Sequence, residues 1–90
     1  MDARSTVAFN IRRLRVALKL PQEVLAIDAG VDRSYVSRLE RGLENPTVAV
    51  LERLASALQM DIGELFKRPP QGSRRLAENL PRGRKARLLI

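Results

Sequence analysis

Apolar residues recur at helical spacing through the first two-thirds of the chain, and no stretch alternates at period two long enough to argue for a strand. Val7, Ile11, Leu14 and Leu18 follow at intervals of four, three and four residues, one stripe on a first helix, with Arg12, Arg13, Arg15 and Lys19 mostly off it. Ser5 or Thr6 is the expected cap. Leu20-Pro21 ends the helix, because the residue before a proline is pushed out of the helical region. A second helix is expected from Gln22 to Ala29, with Leu25, Ala26 and Ala29 inward and Gly30 at the turn, where positive φ costs glycine little. Asp32 then reads as the cap of a third helix, Arg33 to Arg41, which buries Val36 and Leu39 and stops at Gly42. Asn45-Pro46-Thr47 is a turn followed by a cap, opening a fourth helix that carries Val48, Leu51, Leu54, Ala55 and Leu58. Asp61 and Glu64 have capping-box spacing for a short fifth helix ending at Leu65-Phe66. The pattern predicts an all-α fold of five helices joined by short connections over residues 5–67.

After Lys67 the character changes. Pro69, Pro70, Gly72 and Ser73 make a linker, and beyond it only Leu76, Ala77 and Leu80 keep helical register, too short a run for a stable isolated helix. Residues 68–90 are therefore expected to be a basic linker and tail, partly disordered or docking as a short helix. The charge distribution sharpens this division. Residues 1–66 carry nine Lys/Arg and nine Asp/Glu, whereas residues 67–90 carry eight Lys/Arg against Glu78 alone, which accounts for the whole net charge of +7. A neutral body with a basic end fits a polyanionic partner, with Arg74, Arg75, Arg82, Arg84, Lys85 and Arg87 following phosphates non-specifically. The apolar positions Leu76, Leu80, Leu88, Leu89 and Ile90 leave a second use open, docking onto the core or onto another protein through residues 74–90.

Composition narrows the chemistry. The chain has no cysteine and no histidine, and its acidic residues form no set with metal-ligand spacing. No glycine-rich phosphate loop precedes a helix, and Ser34 and Ser37 have no candidate base nearby in sequence, so neither an enzyme nor a metal or other cofactor is expected. No apolar run approaches the length of a membrane span, and MDARST lacks the apolar core of a signal peptide; the expected compartment is the cytoplasm.

The stretch from Gln22 to Arg41 has the proportions of a helix-turn-helix. In the third helix Ser34, Ser37 and Arg38 share one face with Arg33 at its edge, while the apolar Val36 and Leu39 point elsewhere. A helix entering the major groove needs donors on its first turn and one turn on, so Arg33, Ser34, Ser37 and Arg38 are the candidate base contacts. The plainer alternative leaves the two arginines as ordinary solvated side chains. Tyr35, through its hydroxyl, and Asn45, just before the fourth helix, are candidate phosphate contacts; local packing and turn chemistry are their plainer roles.

From Ile11 to Phe66 the chain resembles the phage-repressor and Cro-like (XRE-type) helix-turn-helix regulators of bacteria and phages. The matching segments are IRRLR, QEVLAIDAG, VDRSYVSRLERG, NPTV with LERLASAL, and DIGELF, in that order. The resemblance implies a five-helix domain that binds double-stranded DNA and regulates transcription, usually as a homodimer. It implies that Gln22 contacts a phosphate and braces the recognition helix, and that Arg15 and Glu40 form an internal ion pair between the first and third helices. It implies pairing through the fourth and fifth helices, where Val50, Ile62, Leu65 and Phe66 offer apolar surface, against the alternative that these residues only close the core. Two positions depart from the family pattern: Pro21 stands where a capping Ser, Thr or Asn is usual, and Lys19 where glycine is frequent. The expected function is a sequence-specific regulator, a repressor on a palindromic operator; an antitoxin or a restriction-modification controller built on the same domain is the competing expectation.

Overall fold

The computed structural model describes residues 2–69. Four α-helices follow one another, α1 (Ala3–Ala17), α2 (Gln22–Ala29), α3 (Arg33–Glu40) and α4 (Val48–Ala57), and a 3-10 helix, Ile62–Phe66, closes the order. No strand forms among the described residues. At eight residues each, α2 and α3 are too short to persist alone, so their tertiary contacts hold them. α2 lies against α3 and α4, α1 against α3 and the 3-10 helix, and α4 against the 3-10 helix. Every element contributes to one core: Ile11, Leu25, Val36, Leu39, Leu54, Leu58 and Leu65 are all fully buried. Each such side chain contributes about 1.5–3 kcal/mol through removal from water.

All four α-helices end in the same way. A backbone N–H two or three residues beyond the last helical residue reaches back to a carbonyl five residues earlier: Leu20 to Arg15 (3.1 Å), Val31 to Ala26 (3.0 Å), Leu43 to Arg38 (2.9 Å) and Met60 to Ala55 (2.9 Å). This turn requires one residue with positive φ just before the donor. Gly30 and Gly42 supply it at φ 73° and 76°, but the other two positions are Lys19 and Gln59, each at φ 59°.

The fifth segment does not become an α-helix. Asp61 accepts from the Gly63 N–H at 3.1 Å, and the Asp61 carbonyl accepts from Glu64 at 2.9 Å, which gives the tighter 3-10 winding. Asn10 of α1, only 1% exposed, then donates both amide hydrogens to the carbonyls of Leu65 (2.9 Å) and Lys67 (2.8 Å). Those carbonyls are held by α1, and the backbone is extended by Lys67. Glu64 completes no reciprocal capping box and pairs instead with Lys67 at 3.0 Å.

Other boundaries shift by a few residues. α1 begins earlier than expected because Asp2 caps it, accepting from the Ser5 N–H at 2.8 Å, while Thr6 lies buried inside the helix. Leu18 falls beyond the last turn of α1 and Val48 at the first residue of α4; both are exposed rather than part of the core. α3 stops at Glu40, with Arg41 as its C-terminal cap.

Candidate nucleic-acid interface

α3 presents two different faces. Val36 and Leu39 are completely buried against α1 and α2, whereas Arg33 and Ser34 are exposed and Ser37 and Arg38 half-buried on the outer side. The dry face fixes the helix, and the outer face offers hydroxyl and guanidinium donors one turn apart. Asp32 begins α3 and Pro21 begins α2, and neither side chain caps its helix. By contrast, α1, α4 and the 3-10 helix are each capped by a side-chain oxygen, from Asp2, Thr47 and Asp61. The two helix-turn-helix elements thus begin with first-turn N–H groups that no capping side chain occupies, where the helix dipole favours an anion.

The outer face is braced from below. Arg15 of α1 donates to Glu40 through Nε (2.6 Å) and Nη2 (3.0 Å), and its Nη1 donates to the Leu20 carbonyl at 2.7 Å. The Gln22 amide adds a bond to Glu40 Oε1 at 3.0 Å. The Glu40 side chain is only 3% exposed, so its charge is compensated by three directed donors rather than by water. Gln22 sits half-buried at the first turn of α2, with one amide hydrogen committed to this brace.

Around the C-terminal end of α3, Arg38 donates through Nε to Glu44 Oε2 at 2.6 Å. Tyr35 is half-buried against the core near both groups. Burial pushes its hydroxyl above the ordinary value of 10.0 and the Glu44 carboxylate adds to the rise, while Arg38 and Arg53 pull the other way. The hydroxyl is therefore a protonated donor at neutral pH. Arg53 of α4 donates through Nε to the Ala29 carbonyl at 3.0 Å, placing a cation at the C-terminal end of α2. Asn45 is exposed on the loop before α4. Glu44 and Asn10 escaped the sequence reading. Glu44 carries no motif, and Asn10 becomes meaningful only when α1 meets residues 65–67.

Of the four positions expected to pair two copies, Leu65 is fully buried in its own core and offers no surface, because the 3-10 helix turns it beneath α1 and α4. Val50 and Ile62 are half-buried, and Phe66 is 45% exposed. Arg74, Arg75, Arg82, Arg84, Lys85 and Arg87, with the docking use of residues 74–90, lie outside the described residues. Among the described residues no cluster of acidic side chains suits a metal ion, and no helix is long and apolar enough to cross a membrane.

The helix-turn-helix profile HTH_3 matches residues 11–65, from the middle of α1 through the 3-10 helix. An uncharacterized HTH-type transcriptional regulator, y4dJ of Sinorhizobium fredii, is 45% identical over 65 residues, covering 72% of this chain and 84% of its own. The restriction-modification controller protein C.AhdI from Aeromonas hydrophila superposes with a TM-score of 0.67 at 42% identity, covering 69% of this chain and 94% of that one. A second controller protein, C.Esp1396I, solved as a tetramer with its natural 35-base-pair operator, superposes with a TM-score of 0.65 at 31% identity, over 74% of this chain and 99% of that one. With the braced, two-faced α3 and a match running through every element of the fold, this chain belongs to the HTH_3 family of helix-turn-helix, DNA-binding transcriptional regulators.

Proposed function

We propose that the domain is a sequence-specific repressor that inserts α3 into the major groove of a palindromic operator and binds it as a homodimer. The observation that carries this reading is the division of α3, with Val36 and Leu39 wholly buried and Arg33, Ser34, Ser37 and Arg38 turned outward. Base edges present acceptors and donors that these four side chains can match, with arginine to guanine the commonest specific contact. Gln22, Tyr35 and Asn45 surround that face as phosphate contacts, and the uncapped start of α2 supplies backbone donors beside Gln22. Val50, Ile62 and Phe66 form the apolar surface for a second copy. The operator complex of C.Esp1396I supports the assignment by analogy of fold.

Selection of binding sites from random duplex DNA tests it. The expected product is a two-fold symmetric site whose half-site centres lie about one helical turn apart. Enrichment of single, asymmetric sites bound by monomer would remove the dimer. In the same assay, Arg38→Ala loses about 1–3 kcal/mol of discrimination at one base pair per half-site and leaves the fold intact. Equal weakening on specific and random duplexes would reassign Arg38 to the phosphate backbone. A reporter fused to the selected site separates repression from activation. The likeness to two controller proteins favours a second reading, control of a restriction-modification system. A methyltransferase or nuclease gene beside the coding sequence, with the selected site upstream, is its signature.

A further inference from the structure

Alone among the four outward residues of α3, Arg38 is already engaged by an acid, Glu44, at 2.6 Å. The acid does not arrive by chance of a mobile surface chain. Gly42, at φ 76°, turns the chain after α3, and the Leu43 N–H bonds to the carbonyl of Arg38 itself at 2.9 Å. The residue next to Leu43 is Glu44, so the backbone that bonds to Arg38 also delivers the carboxylate to its side chain. The two side chains are 42% and 26% exposed, the acid more sheltered than the base. A carboxylate beside a DNA-reading face lowers attraction to every phosphate, and it cancels the charge of Arg38. On electrostatics alone Glu44 opposes binding.

The guanidinium geometry supplies its use. The group is planar, and Glu44 takes the Nε–H, leaving Nη1 and Nη2 with no hydrogen bond to the protein among the described residues. Holding Nε restrains the swing of the group and so biases the heading of the remaining pair of donors. Two parallel donors match O6 and N7 of guanine, while an unrestrained arginine on a flexible stem can equally settle on any phosphate. We propose that Glu44 is a specificity-determining positioning residue, which holds Arg38 with its terminal nitrogens directed at a guanine and suppresses its use as a non-specific phosphate contact. The proposal rests on the reading that Arg38 contacts bases.

The test compares wild type, Glu44→Ala, Glu44→Gln, Arg38→Ala and the Arg38→Ala/Glu44→Ala double variant of the full chain. Affinities are measured at one fixed salt concentration on three duplexes. They are the selected site, that site with the Arg38-dependent G·C pair changed, and a random sequence. Glu44→Ala is expected to tighten binding to the random duplex and to cut discrimination at that one pair by about tenfold, within the range of one bidentate contact. Glu44→Gln keeps an acceptor for Nε without the charge. It is expected to tighten random binding similarly while retaining more of the discrimination. In the Arg38→Ala background, Glu44→Ala should have no effect on that pair. Nitrogen-15 NMR of the Arg38 Nε–H, slowly exchanging in wild type and fast in Glu44→Ala, reports the clamp directly. Discrimination lost in Arg38→Ala but unchanged in Glu44→Ala would overturn the role of Glu44 and leave Arg38 as the base reader. Discrimination unchanged in Arg38→Ala would overturn the base-reading assignment, and the clamp with it.

Discussion

Glu40 is nearly sealed from solvent and accepts from Arg15 twice and from Gln22 once, so the cost of burying its charge is met by geometry. Removing one partner leaves the other buried and uncompensated, whereas removing both leaves no orphaned charge. Arg15→Met or Glu40→Met alone is expected to cost about 3 kcal/mol and the double variant about 1 kcal/mol, read from urea unfolding. Additive losses would mean that the two side chains act independently. The same scale holds a pH prediction. Tyr35 is the single tyrosine in a chain without tryptophan, so ultraviolet titration follows it alone. Its folded pKa lies above the unfolded value of 10.0, so the folded state keeps its proton longer. Stability is unaffected below the unfolded pKa and falls as pH rises through the folded one. Tyr35→Phe should abolish that component of alkaline destabilisation, and Glu44→Gln should lower the Tyr35 pKa toward its ordinary value. An unchanged pKa in Glu44→Gln would show that the carboxylate does not lie near the phenol in solution.

At the scale of elements, periodicity located α1 to α4 well because each buries one stripe: Leu25, Ala26 and Ala29 in α2, Leu51, Leu54 and Ala55 in α4. The capping-box spacing of Asp61 and Glu64 predicts a fifth helix, but the segment winds as a 3-10 helix. Its end is held by Asn10, 55 positions away from Leu65, and no local pattern carries that bond. In the candidate interface, the outward face of α3 was legible from its own spacing. Glu44 was not, since its importance comes from a turn that folds it onto Arg38. The turns themselves yield a sharper expectation. Lys19 and Gln59 occupy left-handed positions that Gly30 and Gly42 fill without strain. An ordinary side chain there costs about 1–2 kcal/mol, partly offset by the greater unfolded-state freedom of glycine. Lys19→Gly and Gln59→Gly should each stabilise the domain by roughly 0.5–1 kcal/mol, and their effects should add, because they terminate different helices. Thermal unfolding checks both. Destabilisation by Lys19→Gly would mean that its stem packs usefully on α1 or the loop.

For the whole molecule, the balance of charge is the dominant constraint on how DNA is first attracted. A body with equal numbers of acidic and basic residues up to position 66 has little long-range pull, and within it Arg15 and Arg38 are already paired to acids. Non-specific attraction must then come from local patches and from the basic end. Asn10 and Thr6 contact residues 67 and 68, so truncation close to Lys67 would disturb the domain as well as remove charge. Replacing Arg74, Arg75, Arg82, Arg84, Lys85 and Arg87 by glutamine in the full chain avoids that confusion. Each phosphate neutralised contributes about 0.9 to the slope of log affinity against log salt, so loss of six contacts would flatten the slope by up to about 5. The expected outcome is weaker binding to all duplexes at low salt, a shallower slope and an unchanged sequence preference, since α3 is untouched. Convergence of the two proteins at high salt follows from the same counterion release. Identical slopes would remove the basic end from DNA binding. Its apolar positions, Leu76, Leu80, Leu88, Leu89 and Ile90, would then stand as the reason for its presence, with a protein surface in place of phosphates.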